Sequence, residues 1–243
     1  MTHMSLFPFN PVEDNLYSAE AVRTLDQAAM EQMKGPDILL MKRAGAAALA
    51  ELMEAFGCPS LITVFCGSGN NAGDGYIVAA LAAQKNISVR VVELGTTSNF
   101  SPQTQQARQF AQQANVQLIA FDNDIQLSEG VVVDCLLGIG FSGSLRKPYA
   151  QAVSLINAAK LPVLSVDIPS GLHADTGSIN SDAVRADVTV TFIGAKKGLF
   201  TGLGPVVCGD IIYHSLDVPE SVFDVTRPAA QLLDTFTLMD ELP

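Results

Sequence analysis

After Pro59 the chain alternates between short, unbroken runs of β-branched and apolar residues and stretches of helical character. This alternation restricts the fold more tightly than any other feature. Residues 61–66, 88–94, 116–120, 131–136, 163–167, 188–192 and 210–214 read as strands, with helices expected between them at about 75–85, 102–114 and 149–159. A strand that is apolar along its whole length is buried on both faces, which requires parallel strands with helices packed on either side. The expected class is therefore α/β, a Rossmann-like doubly wound, mainly parallel sheet. Two helical patterns precede it, from Ser18 to about Met33 and from Pro36 to Phe56. Ser18 suits an N-cap, Pro36 a first helical position and Gly57 a C-terminal stop, so the pair predicts an N-terminal helical hairpin. Residues 1–219 read as one domain, and 220–243 as a C-terminal arm or a linker.

Composition limits the partners. With 25 acidic against 14 basic residues, the formal charge of −11 argues against nonspecific binding to nucleic acid or anionic membrane. No apolar stretch approaches a membrane span, and residues 1–15 lack a signal-peptide pattern, so a cytoplasmic address is expected. Cys58, Cys66, Cys135 and Cys208 are widely separated and suggest neither a disulfide framework nor a metal knuckle. An acidic chain that binds an anionic nucleotide must do so locally, through backbone N–H groups, a helix N-terminus or a bound cation.

Four segments at predicted strand ends carry the candidate chemistry. The first is Cys66-Gly67-Ser68-Gly69-Asn70-Asn71-Ala72-Gly73-Asp74-Gly75. Its glycines permit positive φ and close backbone approach, and the following helix offers free N–H groups to phosphates. It is neither the usual dinucleotide fingerprint nor a P-loop. The second, Asp134-Cys135-Leu136-Leu137-Gly138-Ile139-Gly140-Phe141-Ser142-Gly143-Ser144, places Asp134 on the same rim, as a loop cap or as an acidic ligand to a cation. The third, Asp167-Ile168-Pro169-Ser170-Gly171, ends a buried strand in a carboxylate, in a partly desolvated pocket where proton transfer becomes feasible. In the fourth, Lys196-Lys197-Gly198 is either a solvated basic turn or a source of positive charge facing phosphates. There is no G-x-S-x-G elbow for a hydrolase, and Glu93 is the only approximation to a ribose-binding acid of an oxidoreductase.

In combination these motifs resemble the NAD(P)H-hydrate epimerase family over roughly residues 18–219. The resemblance rests on Gly69-Asn70-Asn71-x-Gly73-Asp74-Gly75, Asp134-x-x-x-Gly138-x-Gly140-Phe141-x-Gly143, Asp167-Ile168-Pro169-Ser170-Gly171 and Lys196-Lys197-Gly198. It implies a Rossmann-like isomerase that interconverts the R and S forms of hydrated NADH and NADPH (NADHX and NADPHX), supplying a companion NAD(P)H-hydrate dehydratase in nucleotide repair. By the same resemblance Asn70, Asn71, Ala72, Gly73 and Asp74 bind substrate, as do Gly138, Ile139, Gly140, Phe141, Ser142, Gly143 and Ser144, with Asp167 a further contact. Asn71, Asp134 and Ser170 are implied to hold a potassium ion. Asp167 is the expected acid/base and Lys196 an expected substrate contact. Ala72 stands where many relatives have glycine. Residues 232–243 resemble the junction leading to a fused dehydratase, and a homodimer through the leading helices is a further expectation. The competing reading is a catalytically silent nucleotide-binding module of the same fold.

Overall fold

The computed structural model describes residues 14–35 and 38–232, so Pro36 and the junction-like tail after residue 232 lie outside the described residues. In chain order the elements are β1 (Asn15–Tyr17), α1 (Ala19–Met33), α2 (Leu39–Phe56), β2 (Ile62–Cys66), α3 (Asn70–Gln84), β3 (Val89–Glu93), α4 (Pro102–Gln113), β4 (Gln117–Ala120) and β5 (Val131–Cys135). They continue as α5 (Tyr149–Ala159), β6 (Val163–Val166), β7 (Val188–Phe192), β8 (Ala195–Lys196), α6 (Lys197–Phe200), α7 (Gly204–Val207), β9 (Asp210–His214) and β10 (Ala230–Gln231).

Local chemistry sets the ends of the helices. At the start of α1, Ser18 Oγ accepts from the Ala21 N–H at 3.2 Å and Asp175 Oδ1 from the Ala19 N–H at 2.6 Å, so two orphan donors are satisfied. Gly57 ends α2 at φ 69°, a conformation that favours glycine, while its N–H returns to the Met53 carbonyl at 3.0 Å. Ser101 caps α4, with Pro102 at the first helical position.

Seven strands form one sheet in the order β4-β3-β2-β5-β6-β7-β9, and every pairing is parallel. All residues of β2, β5, β6 and β7 are buried, as unbroken apolar strands require. On one face α1 to α3 pack through Leu25, Leu52, Tyr76 and Ile77, and on the other α5 packs through Val153 and Ile156 against Phe65 and Val132. From β2 the chain winds outward to β4, then returns to β5 and winds the other way. The reversal lies between β2 and β5, and ligands of open α/β sheets bind beyond the strand ends at such a point.

One boundary differs from expectation. The helix predicted from residue 75 begins at Asn70, so the Gly- and Asn-rich segment is the first turn of α3 and only 67–69 remain as loop. None of Gly67, Gly69, Gly73 and Gly75 has positive φ. Close packing explains three of them instead, Gly67 because a Cβ there would run into the Leu136 carbonyl. A Cβ on Gly73 would lie 2.4 Å from Met41 Sδ, and one on Gly75 would lie 2.8 and 2.9 Å from the sulfurs of Cys135 and Cys66.

A second, three-stranded sheet joins distant parts of the chain. β1 runs parallel to β8 and antiparallel to β10. The segment expected as an arm or linker folds back here: residues 220–225 form a 3-10 turn against α1 with Val222 buried, and Ala230 pairs with Leu16. Cys66, Cys135 and Cys208 are buried thiols and Cys58 is exposed. Among the described residues no helix is long and apolar enough to cross a membrane.

Candidate active site

The rim of the sheet at the β2/β5 reversal carries a layer of buried polar groups. Asp134, next to last in β5, is fully buried and accepts four hydrogen bonds: from Ser165 Oγ at 3.0 Å, the Ser170 N–H at 2.8 Å, Ser170 Oγ at 2.6 Å and the Leu136 N–H at 3.2 Å. Burial raises its carboxyl above the ordinary range and these hydrogen bonds pull it back. Ser170 Oγ also accepts from the Leu137 N–H at 2.8 Å, and the Leu137 carbonyl accepts from Asn71 Nδ2 at 2.9 Å. Asn71, Asp134 and Ser170 are thereby tied into one network through Leu137. Asn71 Oδ1 is buried with no hydrogen-bond partner among the described residues.

Beside this layer the ends of β6 and β7 hold a second one. Asp167 follows β6 at φ 70°, a left-handed conformation that aspartate tolerates better than most residues, and its N–H donates to Val190 O at 2.7 Å. Its carboxylate pairs with the Lys196 ammonium, which also donates to Thr191 Oγ1 at 3.0 Å and Phe192 O at 3.1 Å. The Lys196 side chain is 1% exposed and that of Asp167 17%. Lys196 is thus buried rather than part of a solvated turn, and its three protons are all engaged inside the protein. Ile193, just beyond β7, also takes positive φ, at 58°. For a β-branched residue that costs about 1–2 kcal/mol. The strain is held by its N–H to His214 O at 2.9 Å and by Tyr213 Oη donating to its carbonyl at 2.5 Å.

Above these layers lies a cleft of about 730 Å³, within the range of small-molecule sites. Of the residues expected to contact substrate, Asn70, Asn71, Asp74, Gly138, Ile139, Gly140, Phe141, Ser142, Asp167 and Lys196 line it. Ala72 and Gly73 are buried behind the wall in the packing of α3, Gly143 and Ser144 fall outside the lining, and Asp134 and Ser170 lie beneath it. The sequence reading missed the opposite wall, which α1 supplies with Val22, Arg23, Asp26 and Met30, and α2 with Leu40, Met41 and Ala44. Arg23 Nη2 lies 3.4 Å from Ile139 O, over the glycine loop, and among the described residues it is the one cation other than Lys196 in the lining.

Among the described residues three carboxylates therefore share the cleft with two cations. The carboxylates of the half-buried Asp26 and Asp74 accept no hydrogen bond from the described residues. Burial is the main cause that raises the Asp26 carboxyl to about 6, with Asp167 adding to it while Lys196 and Arg23 oppose it. Burial, then the charges of Asp167 and Asp26, push Asp74 well above the ordinary carboxylate range.

Residues 38–198 match the family described as YjeF-related protein N-terminus. The NAD(P)H-hydrate epimerase of Limosilactobacillus fermentum is 32% identical over 195 residues, covering 80% of this chain and 93% of the relative. The chain belongs to the NAD(P)H-hydrate epimerase family. The fused form of the epimerase is also among its relatives: the bifunctional NAD(P)H-hydrate repair enzyme Nnr of Coxiella burnetii is 36% identical over 228 residues, or 94% of this chain. The chain spans 46% of that protein's length. The crystal structure of the yeast protein ynu0, YNL200c, shares the fold with a TM-score of 0.72 at 18% identity, covering 90% of this chain and 97% of that one.

In this member of the epimerase family, the overlooked α1 wall left only an ambiguous signal in the sequence. Arg23, Asp26 and Met30 fall at i, i+3 and i+7, on a stripe beside the buried Val22, Leu25 and Ala29. Charged residues recurring on one such stripe look like a solvated helix face, and only the cleft distinguishes the two.

Proposed function

We propose that this epimerase-family chain interconverts the R and S hydrates of NADH and NADPH, an isomerase activity. The carrying observation is the Asp167–Lys196 pair at the strand ends, set in a cleft whose walls contain the family's motifs. The hydrate is a hemiaminal, with a hydroxyl on a carbon bonded to the ring nitrogen. Inverting that carbon needs the hydroxyl to leave and return, or the ring to open and reclose, and on either route a proton must move to and from oxygen. Asp167 takes that role in this reading, a type of contribution that typically amounts to about 10²–10⁴-fold. Lys196 holds Asp167 in place.

The substrate's phosphates need positive charge in a protein of net charge −11. Arg23 over the Gly138-x-Gly140 loop and the uncapped N-terminus of α3 supply part of it. Asn71, Asp134 and Ser170 are suited to a potassium ion: amide, carboxylate and hydroxyl oxygens form a hard donor set, and the unpartnered Asn71 Oδ1 is a buried acceptor that a cation would satisfy. Bound there, potassium would offset anionic charge near the strand ends. The same reading places the chain in the cytoplasm, as a homodimer working with a dehydratase, a pairing that the fused relatives' names support. The relatives' names do not favour a catalytically silent module.

The test is incubation with a mixture of the two NADH hydrates enriched in one epimer, each followed by chromatography. Relaxation to the equilibrium ratio faster than in buffer is expected. No acceleration for either the NADH or the NADPH hydrate would reject the activity.

A further inference from the structure

We infer that Asp26 of α1 is a second catalytic acid, working with Asp167 from a different element of the same cleft. This rests on the epimerase reading. The two epimers carry their hydroxyl on opposite faces of the ring. If the hydroxyl leaves from one face and water returns to the other, a proton must be given on one side and taken on the other. A single carboxyl fixed to one strand end serves one face.

The geometry provides two differently disposed acids. Asp167 extends from the end of β6 and is tied to the buried Lys196. Asp26 comes from α1, whose start is pinned by Ser18 and Asp175, and its carboxyl enters the cleft without a hydrogen-bond partner among the described residues. The charged groups around it are Arg23 on its own helix, Asp74 on α3, Asp167 after β6 and Lys196 on β8. Burial outweighs the two cations and raises Asp26 to about 6, so half of the molecules carry the proton near pH 6 and roughly a tenth at pH 7.

In the forward direction the Asp26 proton passes to the departing hydroxyl. The C–O bond breaks with both electrons going to oxygen, water is released, and the ring-nitrogen lone pair closes onto the carbon as an iminium. Water then adds from the other face and loses a proton to Asp167. In the reverse direction the two carboxyls exchange roles. No oxidant or reductant enters, and the water lost equals the water gained.

Asp26→Asn tests this, assayed beside the wild type with the hydrate mixture from pH 5 to 9. Turnover should fall about 10²–10⁴-fold. KM, and the affinity for NADPH as an unreactive probe, should stay within about threefold. The wild-type decline of kcat/KM above about pH 6 should be absent from the residual activity of the variant. Asp26→Glu, which keeps a carboxyl, should retain that decline and recover part of the rate. Unchanged turnover and pH profile in Asp26→Asn would overturn the assignment, as would a change in NADPH affinity alone. A wild type that fails to accelerate epimerisation overturns the underlying reading, whereas an active wild type with an equally active Asp26→Asn overturns this assignment alone.

Discussion

The ammonium of Lys196 is buried against the carboxylate of Asp167, 29 residues away in sequence, and spends its remaining protons on Thr191 Oγ1 and the Phe192 carbonyl. The pair connects two adjoining features of the rim: the left-handed residue after β6 and the short strand that follows β7. Removing either partner leaves the other in a site designed for both.

Lys196→Met should therefore destabilise the fold by about 3 kcal/mol, near the lower end for breaking a buried ion pair because Asp167 keeps some access to solvent. Urea denaturation of the two proteins would measure it, and equal midpoints would show that the pair is energetically neutral.

Asp167→Asn keeps an oxygen to accept from Lys196, so substrate affinity should stay largely intact, but the buried ammonium loses its counter-charge and the fold should lose about 3 kcal/mol. Epimerisation should fall about 10²–10⁴-fold in steady-state assays of each hydrate. Unaltered turnover would remove Asp167 from the reaction.

Asp26 should weaken the fold while serving the site. Its carboxyl titrates higher in the folded chain, at about 6, than the ordinary aspartate value of 3.8. Between those values the folded state holds the extra proton, so stability declines as pH rises and the deficit is complete above about 6. Asp26→Asn should then be more stable than the wild type at pH 8, by on the order of 1 to 3 kcal/mol, and equal to it below about pH 4. Urea midpoints at the two pH values check both the sign and the window.

Potassium should raise the melting temperature with increasing concentration, as for any ligand that binds the folded chain alone. Lithium at equal ionic strength should do so less. Replacing Asn71 with Leu should abolish the difference between the two salts, measured by differential scanning fluorimetry.

Gly75→Ala should destabilise by about 1–3 kcal/mol, the usual cost of overpacking, because its methyl would enter the space of the Cys66 and Cys135 sulfurs. A melting temperature equal to the wild type would mean that α3 can shift outward at no cost.

These effects bear on what could be read from the residues alone. The strands were legible because β2, β5, β6 and β7 are buried along their whole length and so lack polar alternation, and the predicted ends of all seven fall within a residue or so of the observed ones. The start of α3 was not, because Gly and Asn commonly signal loops, whereas here Gly73 and Gly75 serve helix packing. β1, β8 and β10 span two or three residues each, too short for any period to show. Lys196 read equally well as a solvated turn lysine or as a charge facing phosphates, and its burial was not legible, since a local sequence gives no hint of a carboxylate 29 residues upstream. Arg23 and Asp26 were missed for a similar reason: the wall that they form exists only once α1 docks over the sheet.

The ribbon β10-β1-β8 gives that docking a mechanical side. Ala230 is paired to Leu16, Leu16 to Ala195, and the next rung joins Tyr17 to Lys196. The ribbon behaves as a hasp: the stretch around residue 230 latches the strand that leads into α1 onto the strand that carries the site lysine. Trimming the chain at residue 219 would open the hasp and loosen Asp26 and Lys196 together, although neither residue is touched.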